Sequence, residues 1–242
     1  MVAELRNICK RYGTLEVLNN FSLDVKPKEI VCILGASGCG KSTLLSILSG
    51  VLDPEEGQVK RHTKRIGYVF QEDRLLPWKT VYDNIYFVNK ESSEDEIDLL
   101  IEVIGLKGFE ACLPKELSGG MRQRCSIARA FNYHPELLLM DEPFKALDYS
   151  LRLRMIGQLI EVWRKTSSAI VFVTHQIDEA LMLGNRVIVL SERPATILKT
   201  YSIKTKQENR ELNSKELTEV RNEIIQVFQT CERKCECRRK IG

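Results

Sequence analysis

Gly35-Ala36-Ser37-Gly38-Cys39-Gly40-Lys41-Ser42-Thr43 lies between the apolar run Ile30-Val31-Cys32-Ile33-Leu34 and the helix-periodic run Leu44-Leu45-Ser46-Ile47-Leu48. It fits G-x-x-x-x-G-K-[ST] in a strand, loop, helix context, the setting that marks a phosphate-binding loop. Glycines at 35, 38 and 40 are expected to let the backbone take φ values that side chains forbid, so that successive N–H groups turn inward on an anion. A helix starting near Lys41 adds unpaired first-turn N–H groups and the positive end of its dipole. The Lys41 ammonium can reach β- and γ-phosphates, and Ser42 offers a hydroxyl to Mg²⁺. A glycine-rich turn before a core helix would not call for Lys-Ser at the helix start.

Upstream, Val2 to Lys10 and Asn19 to Lys26 alternate apolar and polar residues, with Phe21, Leu23 and Val25 on one face. They read as a half-exposed antiparallel β layer. Tyr12, just before Gly13, reads on its own as a packing residue, with stacking on a base as the alternative. Downstream, Arg65 to Phe70 reads as a short strand ending at Gln71, and a lone glutamine there is ordinarily a surface residue. Leu75, Leu76 and Trp78 surround Pro77 in a loop, either as an exposed partner surface or with Trp78 folded back into the core. Thr80 starts a helix, and Ser93-Glu94-Asp95-Glu96 is a capping box ahead of Ile97, Leu100, Ile101 and Ile104. Leu117-Ser118-Gly119-Gly120 breaks the pattern, with Ser118 placed as an N-cap and the glycine N–H groups open to an anion.

Leu137-Leu138-Leu139-Met140, wholly apolar, reads as a strand buried on both faces and ends in Asp141-Glu142-Pro143. Parallel sheets carry their sites at the strands' carboxyl ends, so two carboxylates are expected beside the phosphate loop. Asp141 can hold Mg²⁺, and Glu142 can orient and deprotonate an attacking water. Ala146-Leu147-Asp148 leads into a helix, and Ala169 to Thr174 is a second buried strand, ending at His175. A strand-end histidine is structural more often than catalytic, but a third polar residue at the same sheet edge favours a γ-phosphate contact.

With 242 residues, 43% of them apolar, the chain can bury a sizeable core. Its 36 basic and 33 acidic residues leave a net charge of +3, which gives no support for a nucleic-acid-wrapping surface. No stretch approaches the about 20 apolar residues of a membrane span, and Met1 to Arg6 lacks a signal-peptide layout, so a cytoplasmic location is expected. Cys9, Cys32, Cys39, Cys112 and Cys125 read as core or near-core residues. Cys231, Cys235 and Cys237 cluster in a basic tail, where a metal or redox site competes with a reduced, disordered tail.

In combination these motifs resemble the nucleotide-binding subunit of ATP-binding-cassette (ABC) transporters along nearly the whole chain. The phosphate loop, Gln71, Leu117-Ser118-Gly119-Gly120, Asp141-Glu142, Ala146-Leu147-Asp148 and His175 follow one another in that family's order. The resemblance implies an α/β fold: a P-loop NTPase core with a mostly parallel sheet, an N-terminal antiparallel β layer and a helical signature subdomain at about 72–132, all within 1–203, followed by a C-terminal helix and Cys/basic tail over 204–242. It implies an ATPase using ATP and Mg²⁺. Tyr12 would stack on adenine, and Gly35, Ser37, Gly38, Cys39, Gly40, Lys41, Ser42 and Thr43 would cradle the phosphates. Ser42, Gln71 and Asp141 would hold the metal, Glu142 would be the base, and His175 would steady the γ-phosphate.

The partners implied are a second copy packed head to tail, whose Ser118, Gly119 and Gly120 complete the nucleotide site, and a membrane permease contacted through Leu75, Leu76 and Trp78. An extracytoplasmic solute-binding protein is implied indirectly, Asp148 falls at a partner contact, and the chain is expected as a peripheral subunit on the cytoplasmic face of the membrane, with no nucleic-acid partner. Gln71 to Trp78 and Leu117 to Arg124 look most like importers of the nitrate, sulfonate and taurine group, where methionine is common at the Met121 position. Lys145 departs from the family's usual small residue and is expected to point to solvent, the alternative being that it perturbs communication across the dimer interface. The alternatives are an ABC ATPase of another importer or exporter and a soluble cassette ATPase of DNA repair or translation; the latter would bring a long coiled-coil insertion or two cassettes in tandem, and neither is in the sequence.

Overall fold

The computed structural model describes residues 1–145, 147–166 and 168–239, with side chains as far as Cys231. Ala146, the first residue of the expected Ala146-Leu147-Asp148 turn, and the side chains of Cys235 and Cys237 lie outside the described residues. In chain order the elements are β1 (Ala3–Tyr12), β2 (Leu15–Val25), β3 (Ile30–Leu34), α1 (Lys41–Ser49), β4 (Glu56–Arg61), β5 (Ile66–Val69), α2 (Val81–Tyr86), α3 (Glu94–Val103), α4 (Gly119–Asn132), β6 (Leu137–Asp141), α5 (Tyr149–Thr166), β7 (Ala169–Thr174), α6 (Ile177–Leu183), β8 (Arg186–Leu190), β9 (Ile197–Ser202) and α7 (Lys215–Arg239). The fold is α/β.

The chain divides into two compact units. The first comprises Met1–Ala3, Val25–Lys28 and Arg61–Val171; the second comprises Glu4–Asp24, Glu29–Lys60 and Phe172–Gly242. In the first unit the strands run in the order β5, β6, β7. β5 and β6 are parallel, with Val69 level with Met140. Every residue of β6 is buried, as its unbroken apolar run requires of a strand covered on both faces.

Around these strands the same unit builds a helical core from Val81, Ile85, Ile97, Ile101, Leu106 and Cys125. Its helix starts follow local chemistry. The Thr80 hydroxyl accepts the Asp83 N–H at 3.1 Å. Ser93 and Glu96 form a reciprocal capping box, and the Ser118 hydroxyl accepts the Met121 N–H at 3.3 Å, each satisfying a first-turn donor that the helix itself cannot. Leu75 belongs to this core and is only 9% exposed. The sequence expectation that it lies on a partner surface is therefore corrected.

The second unit holds a three-stranded sheet in the order β2, β1, β4. Phe21, Leu23 and Val25 are buried on one face of β2, as period-two alternation predicts. Strands β3, β8 and β9 follow β7 in sheet order, with β3 and β8 parallel and β9 antiparallel at the edge. A bidentate ion pair from Arg186 to Glu29, 2.6 Å at its shorter contact, ties the starts of β8 and β3. α7 docks through the fully buried Leu217 and Ile224 and through Arg221, which meets Asp178 of α6 at 2.7 Å.

Arg210 donates to the carbonyls of Leu181 at 2.8 Å and Gly184 at 2.9 Å, capping the end of α6. Burial pulls its pKa down to about 10, which still leaves it charged at neutral pH. α7 continues to Arg239, so the Cys/basic segment is helical, against the expected disordered tail. Its Lys, Arg and Glu residues are good helix formers, and no glycine or proline interrupts them.

Candidate active site

The phosphate loop leaves β3 at Leu34 and enters α1 at Lys41, in the second unit. Gly38 has φ +78° and Gly40 has φ +121°, conformations that L side chains rarely adopt. Gly35 differs from the expectation. Its φ is not positive; what excludes a side chain is space, because a Cβ there would come within 2.8 Å of the Cys39 sulfur and 3.3 Å of Leu190 Cβ. The buried Lys41 ammonium donates to the carbonyls of Gly35 at 2.9 Å and Ala36 at 2.8 Å. These bonds curl the loop around its own lysine and hold a positive charge at the mouth of the helix. Burial pushes the Cys39 thiol up, against the pull of Lys41 and Arg193. Cys39 therefore stays a neutral packing group, and any service to a phosphate comes from its backbone.

The register of β3 and β8 sets Leu34 level with Val189, so the segment after β8 runs beside the phosphate loop. It delivers a residue that motif reading missed: a Cβ on Gly38 would lie 3.5 Å from an Arg193 guanidinium nitrogen. Its only sequence signal is a basic residue one turn beyond a buried strand. His175, exposed, follows β7, the strand next to β3. The turn that carries it is fixed by Thr174, whose hydroxyl donates to Glu179 at 2.6 Å and accepts the Gln176 N–H at 3.0 Å. Tyr12 ends β1 with its ring 51% exposed, and the Lys10 ammonium sits 5.7 Å from the ring centre.

In the first unit, parallel pairing brings β5 and β6 to a common edge. With Val69 level with Met140, Gln71 and the pair Asp141-Glu142 leave the sheet side by side. The strand ends at Val69, two residues before Gln71. Both carboxylates are buried, Glu142 at 7% exposed. Glu142 has φ +45°, an uncommon backbone for a non-glycine residue, of the kind that collects at functional sites. Lys145 is exposed, as sequence suggested, and its ammonium also lies 3.4 Å from Glu142 Oε2.

The signature segment opens α4. A Cβ on Gly120 would meet Leu147 Cδ2 at 2.8 Å, whereas one on Gly119 would meet nothing nearer than 3.7 Å. A side chain at Gly120 would thus have to displace the end of Leu147, whereas one at Gly119 would not crowd its own unit. α4 also grips the segment that follows Gln71. Arg122 pairs with Asp73 at 2.9 Å, Gln123 donates to the Phe70 carbonyl at 3.2 Å, and Arg129 donates to the carbonyls of Arg74 at 2.9 Å and Asp73 at 3.2 Å. Arg122 and Arg129 stand among small and apolar residues, and the sequence does not show what they hold.

Asn84, fully buried, is another residue that sequence did not single out. Its carboxamide accepts the Leu76 N–H at 2.8 Å and donates to the carbonyls of Leu76, Lys79 and Thr80 at 3.2, 2.9 and 2.9 Å. The loop so fixed leaves Leu76 half-buried and Trp78 72% exposed. Asp148 accepts the Leu151 N–H at 2.9 Å and caps α5. Among the described residues no group of three His, Cys, Asp or Glu side chains could hold a metal ion, and no helix is long and apolar enough to cross a membrane.

Residues 18–145 match the family described as ABC transporter. The chain belongs to that family. The aliphatic sulfonates import ATP-binding protein SsuB of a Bacillus cereus strain is 39% identical over 230 residues, covering 91% of each chain. Among solved structures, the dimeric bacterial ABC transporter cassette MJ0796 superposes with a TM-score of 0.74 at 28% identity, covering 84% of this chain and all of that one. The same cassette in a post-hydrolysis dimer bound to ADP and Pi gives a TM-score of 0.73 at 27% identity, with the same coverage. This ABC transporter protein is an ATPase, and the nucleotide it binds and hydrolyses is ATP.

Proposed function

We propose that this ABC ATPase is the motor subunit of an importer for a small anion of the sulfonate, nitrate or taurine kind, and that it works as a head-to-tail dimer on the cytoplasmic face of a membrane permease. The observation that carries the reading is the register of β5 and β6, which delivers Gln71, Asp141 and Glu142 to one sheet edge. The relative named for aliphatic sulfonate import, matched along 91% of both chains, supports the solute class.

In this reading Tyr12 stacks on adenine. Ser37, Gly38, Cys39, Gly40, Lys41, Ser42 and Thr43 receive the phosphates, chiefly through backbone N–H groups, and Gly35 leaves the room for the loop to close. Ser42, Gln71 and Asp141 present the hard oxygens that suit Mg²⁺, which when bound neutralises charge on the β- and γ-phosphates. Glu142 accepts a proton from the attacking water as the water oxygen bonds to the γ-phosphorus and the bond from that phosphorus to the β–γ bridging oxygen breaks, the electron pair leaving with ADP, and His175 steadies the γ-phosphate. Positioning and charge stabilisation supply most of the rate. Gly119, bare for no reason within its own unit, leaves room for the partner's nucleotide, which Ser118, Gly119 and Gly120 approach from the start of α4.

Leu76 and Trp78 form the permease contact. The grip of α4 on residues 70–74 links movement there to the signature segment, so closure of the dimer on ATP reaches the permease as a change of shape. A solute-binding protein delivers the anion from the other side. Co-expression with candidate permease subunits and reconstitution into liposomes tests the whole: ATP-dependent sulfonate uptake that Glu142→Gln abolishes is expected. ATPase activity stimulated by DNA or ribosomes, with no permease association, would overturn it.

A further inference from the structure

Glu142 and Lys145 are joined twice. The Lys145 N–H donates to the Glu142 carbonyl at 3.2 Å, closing a tight turn with Pro143 at its second position, where proline's fixed φ suits such a turn. The same turn brings the Lys145 ammonium to 3.4 Å from Glu142 Oε2. The carboxylate is buried, while the lysine side chain is 45% exposed. One partner is therefore fixed by the strained backbone at φ +45°, and the other can swing into water.

We propose that Lys145 is a latch on Glu142: a positioning residue whose ammonium occupies Oε2 of the carboxylate between turnovers and must leave before that oxygen can take up the attacking water. The inference rests on Glu142 being the base. An ammonium at Oε2 takes up lone pairs of that oxygen, so this oxygen can align a water for in-line attack only once the contact opens. A small residue at position 145 imposes no such step. Basal turnover in this chain is accordingly restrained by the opening of a half-exposed ion pair, while ATP binding is unaffected. With its lysine half exposed the pair is open to screening by salt, so the restraint is modest and ionic strength relieves it.

The test is steady-state ATPase kinetics on the full chain with Lys145→Met and Lys145→Arg. Lys145→Met is expected to raise kcat up to about fivefold, the factor corresponding to about 1 kcal/mol at 1.4 kcal/mol per tenfold, with KM for ATP unchanged. Lys145→Arg, which keeps the cation, is expected to stay at the parent rate. Added salt should raise kcat of the parent chain and leave Lys145→Met flat. In the nucleotide-free chain, the Nζ resonance of Lys145 should move on Glu142→Gln. An unchanged or lower kcat in Lys145→Met, an arginine variant as fast as the methionine one, or an unmoved Nζ resonance would overturn the latch. If Glu142→Gln itself retains turnover, the base assignment fails instead, so the two failures are distinguishable.

Discussion

Replacing Leu75 by alanine separates the two readings of the loop after Gln71, because Leu75 is buried in the helical core while Trp78, three residues on, is 72% exposed. The substitution removes three carbons from contact with a core that includes Val81, Ile85 and Leu117. At about 0.8 kcal/mol per buried methylene the transfer loss is about 2.4 kcal/mol. A position 9% exposed lies at the rim of its core, where neighbours and water fill part of the space, so the cavity term is small and the total stays near the lower end of about 2–5 kcal/mol for leucine to alanine. With a urea slope of about 2.5 kcal/mol/M for a chain of this size, the unfolding midpoint should fall by about 1 M. Trp78→Ala should move it by about 0.2 M at most, because an exposed side chain carries about 0.5 kcal/mol or less. The assay is urea unfolding followed by far-UV circular dichroism; if the units unfold in separate steps, the step that moves is that of the unit holding Leu75. A midpoint unchanged in Leu75→Ala, or lowered as far by Trp78→Ala, would refute the placement of Leu75 inside and Trp78 outside.

Lys41→Ala removes a buried cation and its bonds to the Gly35 and Ala36 carbonyls; at about 1.5–3 kcal/mol for a charged hydrogen bond, the Kd for ATP in calorimetry should rise by about ten- to a hundredfold. Gly120→Ala forces its new methyl against Leu147 Cδ2, so turnover and stability should both fall, and Gly120→Ala with Leu147→Ala should recover about 1 kcal/mol of stability in a double-mutant cycle; strictly additive losses would contradict the contact. Glu216 accepts from the Thr205 hydroxyl and from the N–H groups of Lys204 and Thr205, and these bonds hold its carboxyl below the usual range, the Thr205 hydroxyl contributing most. A depressed folded-state pKa means that its stabilisation is present above the unfolded carboxylate value and is lost as pH falls through the folded one. Proteolysis of the α7 segment should therefore accelerate in acid, and Glu216→Gln should remove that acid dependence.

The elements around the phosphate loop were legible because each carries its reason locally. β3 and β6 are unbroken apolar runs, and the starts of α2, α3 and α4 have hydroxyl caps with donors at fixed spacing. What sequence could not separate is direction within irregular segments. Leu75, Leu76 and Trp78 have no periodicity to assign faces, and the buried Asn84 that shapes their loop looks like any polar helix residue. The partners of Arg122 and Arg129 in α4 lie some fifty residues away, the Asp73 carboxylate for Arg122 and the Arg74 and Asp73 carbonyls for Arg129, and no local pattern shows them. Gly35 and Gly38 belong to one motif but are required for different reasons, space and φ, which the motif does not distinguish. Lys145 was visible as a departure; that it turns back on Glu142 depends on a tight turn whose backbone no propensity specifies.

The central claim is that the nucleotide site is completed by a second copy and fired by Glu142. Analytical ultracentrifugation of Glu142→Gln with and without ATP, alongside its ATPase rate, tests it most directly. The account predicts a chain without turnover that is monomeric without nucleotide and dimeric with ATP, the dimer being lost when Ser118→Arg is added to block the signature surface. Sustained hydrolysis by Glu142→Gln, or a sedimentation coefficient indifferent to ATP, would contradict it.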